Sequence, residues 1–237
     1  MSHDLRAFAL VVLAATLAVG PAAVAGDVTV KVVKGSLFVK GSDTTDAVTI
    51  NMQGTPGQAN LVPDAGTTVN GAAGTVAFPG VTKDIVVDAR GGDDVFLVTQ
   101  MDDLRGVRMK GGAGADSLSL SYSHVKRNVT LEGGDGGDTL SVGFTQIDGR
   151  ARFSCGPGAD LAQFSFAAAD GGLAVDFGGA DGGVDDFTST NAGSDSASAR
   201  IKGSGDTDTV TFSQSGWRRL RARLGGGADT FNMSNSG

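Results

Sequence analysis

Cysteine is almost absent from this sequence: Cys155 stands alone among 237 residues. An intramolecular disulfide framework is therefore excluded, and stability must come from packing, hydrogen bonds or bound ions. Proline is scarce, five residues against 38 glycines, and no three-residue period runs through the glycines, so a collagen-like helix is excluded and many turns are expected. Histidine occurs twice, at His3 and His124, which leaves no imidazole cluster for a metal. One tryptophan, Trp217, and a net charge of −7 argue against a nucleic-acid partner.

Long apolar runs are also lacking, except near the start. Residues 7–20 are apolar, Arg6 precedes them and Ala23-Val24-Ala25 follows, which predicts a secretory signal peptide over residues 1–25. That run is shorter than the roughly 20 residues a membrane span needs, and no second one occurs. The mature chain, residues 26–237, is expected to lack a transmembrane segment and to be secreted or held at a cell surface, as a bacterial-type signal directs.

What the sequence has is a repeat. Asp94, Asp116, Asp138 and Asp160 follow one another every 22 residues. Apolar side chains stand nine before them (Ile85, Val107, Val129, Ala151) and seven before them (Val87, Met109, Leu131, Phe153). Two and four residues after them come Phe96/Val98, Leu118/Leu120, Leu140/Val142 and Ala162/Phe164. The frame extends with slips to Asp46, Asp185, Asp208 and Asp229, and to a degenerate unit at Gly74. Period-two alternation on both sides of a glycine turn means two strands per unit, and such a pair buries its apolar face only by stacking on its neighbours. The expected fold is all-β: a parallel β-solenoid of about nine coils, with residues 26–88 as capping or degenerate coils and residues 89–237 as regular ones.

KGGAGADSLSL at residues 110–120 and EGGDGGDTLSV at residues 132–142 carry the frame GGxGxD followed by apolar alternation. This resembles the nonapeptide of the RTX, or haemolysin-type, calcium-binding repeats, in a divergent form exported by signal peptide. The resemblance implies oxygen-only Ca²⁺ sites between neighbouring turns, a chemistry suited to a hard cation that takes about six to eight oxygens. Carried onto this chain, it makes Asp116 and Asp138 carboxylate ligands and Gly111, Ala113, Gly134 and Gly136 carbonyl donors. Asp94, Asp160, Asp208 and Asp229 mark further sites in turns where the motif decays. RTX rolls carry glycine turns on both edges of an 18-residue coil, whereas this 22-residue repeat has one such edge.

Stacked carboxylates repel unless they are protonated, splayed into water or bridged by a cation. Among the outward residues, Arg219, Arg221, Arg223, Arg200 and Lys202 form a basic cluster to which an anionic polysaccharide or a surface or matrix component could bind. The terminal coil, which lacks an amphipathic cap, is expected to be covered, for instance by self-association. The chain therefore reads as an exported calcium-binding module with a structural or adhesive role. Alternatives are a metal-free solenoid and a β-helix enzyme acting on polysaccharide, although no compact pair of carboxylates outside the turns suggests catalysis.

Overall fold

A computed structural model describes residues 26–234. The predicted signal peptide lies outside the described residues. The described chain is all-β, and among those residues no helix is long and apolar enough to cross a membrane.

Two sheets of ten strands and a short third sheet of three make up the described residues. Each coil sends one strand into the first sheet (Gly106–Ala113, Val129–Asp135, Arg150–Ser154 in the centre) and, after the glycine turn, one into the second (Ser117–Ser121, Thr139–Gly143, Leu161–Ser165). Neighbouring coils pair in parallel and in register, Val107 with Val129 and Ala151, Leu118 with Leu140 and Ala162. Register is fixed because a slip of one residue would turn every apolar side chain outward. All four apolar columns are buried and fuse into one core, with Phe96, Phe153, Phe164, Phe187 and Phe212 as its largest members. Each such side chain contributes on the order of 1.5–3 kcal/mol by leaving water.

Three features depart from the expected fold or were absent from it. Each long sheet holds eight strands of the parallel stack, separated by about seven turns, rather than nine coils. The difference is the unit around Gly74. Its strands Gln58–Pro63 and Val76–Pro79 pair antiparallel, the first on Ala47–Asn51 and the second on the first, while Gly26–Val33 lies antiparallel on Ser36–Lys40. Antiparallel strands laid over a parallel edge stop further stacking there. A third face was also unforeseen: the connectors pair as His124–Val125, Gln146–Ile147 and Ala168–Ala169. Buried Val125, Ile147 and Ala169 give these three coils a third side.

At the other end, Gly216–Arg223 and Thr230–Ser234 are the outermost strands, and no further strand covers them among the described residues. Phe231 is 42% and Met233 54% exposed there, where their counterparts Val210 and Phe212 are buried.

Candidate metal centre: a column of buried aspartates

The repeated aspartates do not splay into water. Asp46, Asp94, Asp116, Asp138, Asp160, Asp185 and Asp208 are each at most 2% exposed. The carboxylates of Asp94, Asp116, Asp138, Asp160, Asp185 and Asp229 each reach toward the coil before them. The Asp46 N–H donates to Asp94 Oδ1 at 2.7 Å, Asp94 to Asp116 at 2.9 Å, Asp116 to Asp138 at 2.8 Å and Asp138 to Asp160 at 2.7 Å. The column continues from Asp160 to Asp185 at 3.0 Å and from Asp208 to Asp229 at 3.1 Å. One oxygen of the aspartate is thus spent on holding adjacent coils together.

The other oxygen is bare in the centre of the stack. Asp94, Asp116, Asp138 and Asp160 each keep a buried Oδ2 with no hydrogen-bond partner. The cause lies at the second position of the turn. Gly112, Gly134 and Gly156 adopt φ of +125°, +129° and +119°, and Arg90 is forced to +86° at the equivalent place. A side chain on Gly134 would meet Gly112 O at 2.0 Å, so only glycine fits at this close approach. With the backbone so turned, the Gly134 N–H donates to Cys155 O of the next coil at 2.9 Å instead of to its own aspartate.

Two coils add a donor of their own: the Asp208 coil thereby bonds both carboxylate oxygens, whereas Asp46, first in the column, still keeps a buried Oδ1 without a partner. Ser42 and Ser204 take the second turn position, and their N–H groups donate inward to Asp46 Oδ2 at 2.7 Å and Asp208 Oδ2 at 2.9 Å. Their hydroxyls add bonds to the same carboxylates, 3.0 Å to Asp46 and 3.1 Å to Asp208.

Desolvation governs how the bare carboxyls titrate. Burial pushes Asp94 up to about 8, Asp138 to about 6, and Asp160 and Asp185 to about 7, against the pull of the donated N–H. Neighbouring carboxylates add to the rise. Burial also raises Asp116, and it raises Asp208 although both Ser204 bonds oppose it.

Of the carbonyl donors implied by the resemblance, Ala113 O accepts the Gly92 N–H at 2.9 Å. The Gly134 and Gly136 carbonyls stand 1.9 and 2.0 Å from where a Cβ would lie on Gly156 and Gly158, so both are turned against the next coil. Gly111 lies against its own aspartate: a Cβ there would be 2.3 Å from Asp116 Oδ2 and 2.6 Å from Gly133 O. The same pairing recurs at Gly133, with Asp138 Oδ2 at 2.2 Å and Cys155 O at 2.6 Å. Among the described residues no three His, Cys, Asp or Glu side chains converge. A cation in this column would therefore draw most of its ligands from carbonyls, as Ca²⁺ does when carboxylates are few. The bare oxygens and adjoining carbonyls fit a hard cation, and Asp229, half-buried at the open end, fits it least.

Several participants were not singled out by sequence. Asp185, in the repeat frame but outside the predicted ligand set, joins the column through a lengthened turn, and Ser42 and Ser204 reveal themselves only as hydrogen-bond donors. His124, which lacked a visible second ligand, sits between Asp103 at 3.3 Å and Asp148 at 3.1 Å. Asp148 foremost, then Asp103, raises its pKa. On the outer face, Arg200 pairs in register with Arg221, Lys202 with Arg223 and Ser198 with Arg219, so the predicted basic cluster shares two adjacent coils.

No family model, curated protein or solved structure matches this chain. The fold defines it as a parallel β-solenoid.

Proposed function

We propose that this chain is an exported structural or adhesive module of a cell surface or matrix, of divergent RTX-like type, whose glycine-turn coils are stabilised by Ca²⁺. The observation that supports the metal is the run of bare, buried carboxylate oxygens in the Asp94, Asp116, Asp138 and Asp160 coils. Leaving one polar atom buried and unpaired costs about 1–3 kcal/mol, and four in consecutive coils call for a counter-charge. Burial removes the option of splaying into water, so a cation or a proton must satisfy them. Residues 1–25 support export.

A metal-free solenoid with protonated aspartates is the second reading, favoured by the raised pKa of Asp94 and Asp160. The two readings part on one experiment: thermal unfolding in millimolar Ca²⁺ against chelator, at pH 5 and pH 8, with Asp116→Asn/Asp138→Asn beside the wild type. Calcium at about a hundred times its Kd adds about 2.7 kcal/mol, worth roughly 5–10 °C in a chain of this size. The shift should be larger at pH 8, where protons no longer compete, and smaller in the double variant. A wild type indifferent to calcium at both pH values would leave the protonated column standing.

A further inference from the structure

The outer face of the first sheet carries a groove that the aspartate column does not use. Arg108, Thr130, Arg152, Ala174, Arg200 and Arg221 occupy one outward column, coil after coil. Ala174 is the smallest of them, and in the neighbouring column Arg150 is followed by Gly172. Beside this gap the strand Gly193–Lys202 bulges: between Ser194 and Ser198 it places three residues against one on its partner. Two small residues and a bulge leave a groove of about 600 Å³, with Arg150, Arg152, Arg200 and Lys202 on its walls.

The charges in the groove are not equally free. Lys202 is tied to Asp176 at 2.9 Å, and Asp170 accepts from Gln146 at 3.1 Å and from Ser194 at 3.2 Å. Elsewhere on this face Arg108 is paired with Glu132 at 3.1 Å. Arg152 and Arg200 are exposed and have no ion pair or hydrogen bond among the described residues. They stand on either side of Ala174, two strand spacings or about 10 Å apart at the backbone. Two unpaired guanidinium groups facing one depression, in a chain of net charge −7, point to an anion brought from outside.

We propose that this groove is a subsite for a linear acidic polysaccharide, with a carboxylate-bearing sugar seated over Ala174 between Arg152 and Arg200. A linear polymer fits better than a lone anion because the column continues beyond Arg200 to Arg221, so a chain running along the stack meets a further guanidinium. A single-stranded nucleic acid fits less well. Its bases need aromatic platforms, and the one aromatic side chain at the groove, Phe153, is buried. Planar guanidinium forks match carboxylates in bidentate geometry.

The proposal does not depend on calcium, so its test runs in chelator as well as in Ca²⁺. Calorimetry would compare galacturonate oligomers with neutral glucan oligomers of equal length and with single-stranded DNA, at fixed ionic strength. The wild type is expected to bind the uronate alone. Arg152→Ala/Arg200→Ala should bind about a hundredfold more weakly, tenfold for each guanidinium lost. Ala174→Trp, which fills the groove and removes no charge, should also abolish binding, while Arg108→Ala should change it less than twofold. Circular dichroism and Tm confirm that each variant is folded. Unchanged binding in either groove variant, no binding by the wild type, equal binding of neutral glucan, or tighter binding of DNA would overturn the proposal.

Discussion

The Asp208 coil near the open end and the Asp138 coil in the middle have the same fold, register and buried carboxylate, yet they differ in what that carboxylate holds. At Asp208 the turn supplies its own donors, the N–H and hydroxyl of Ser204. At Asp138 the turn residue is Gly134, whose N–H bonds the next coil. The Gly134 turn bonds the next coil and leaves Asp138 Oδ2 bare; the Ser204 turn satisfies both oxygens of its own aspartate. Cohesion along the stack and satisfaction within a coil are alternatives here, and four central coils have taken the first.

The harshest way to break the comparison is to deny the central turn its glycine. Gly134→Ala would place a Cβ 2.0 Å from Gly112 O in a left-handed backbone. A loss of about 3 kcal/mol or more is expected in urea unfolding. Gly54→Ala, also at positive φ but with nothing within 4 Å, should cost about 1 kcal/mol.

Acidity gives the next largest effect. Carboxyls raised in the folded state stabilise it fully below their unfolded value near 3.8 and lose that contribution as pH rises through about 6 to 8. In chelator, Tm should therefore fall between about pH 4 and pH 8. Asp94→Asn/Asp160→Asn, which keeps the acceptor and cannot ionise, should flatten that slope. An unchanged slope would show that the column is not what titrates.

Removing the serine sharpens the contrast from the other side. Ser204→Ala takes the hydroxyl from Asp208 and should cost about 1 kcal/mol, with the Asp208 resonance titrating higher by NMR. The smallest effect belongs to Arg90, a non-glycine residue at φ +86° whose guanidinium lies 3.4 Å from exposed Asp43. Arg90→Gly should relieve about 1 kcal/mol of strain and forfeit a surface pair worth less. A slight gain in Tm is expected.

Much of this fold was legible because a solenoid repeats one local solution. The interval of 22 residues and the alternation around Asp94 to Asp160 gave the coil length, the register and all four buried columns. The third face left a fainter trace, the apolar residues Val125, Ile147 and Ala169 at the same interval inside connectors that otherwise vary. The Gly74 unit misled because its glycine and alternation mimic a coil, while its strands turn back on near neighbours in sequence and form an antiparallel cap. The groove at Ala174 was hidden for a similar reason: its depth comes from a bulge in another strand, and the freedom of Arg152 and Arg200 depends on where Asp170 and Asp176 are already engaged.

The sequence by itself determined that each coil ends its turn in an aspartate, and at what spacing, because a period of residues is a property of the chain. Only the tertiary structure decided that these carboxylates face inward, that those from Asp94 to Asp185 bond the coil before them, and that four central ones keep Oδ2 bare. That outcome depends on contacts between residues 22 apart, and the direction of an N–H in one turn is set by the carbonyl waiting in the next.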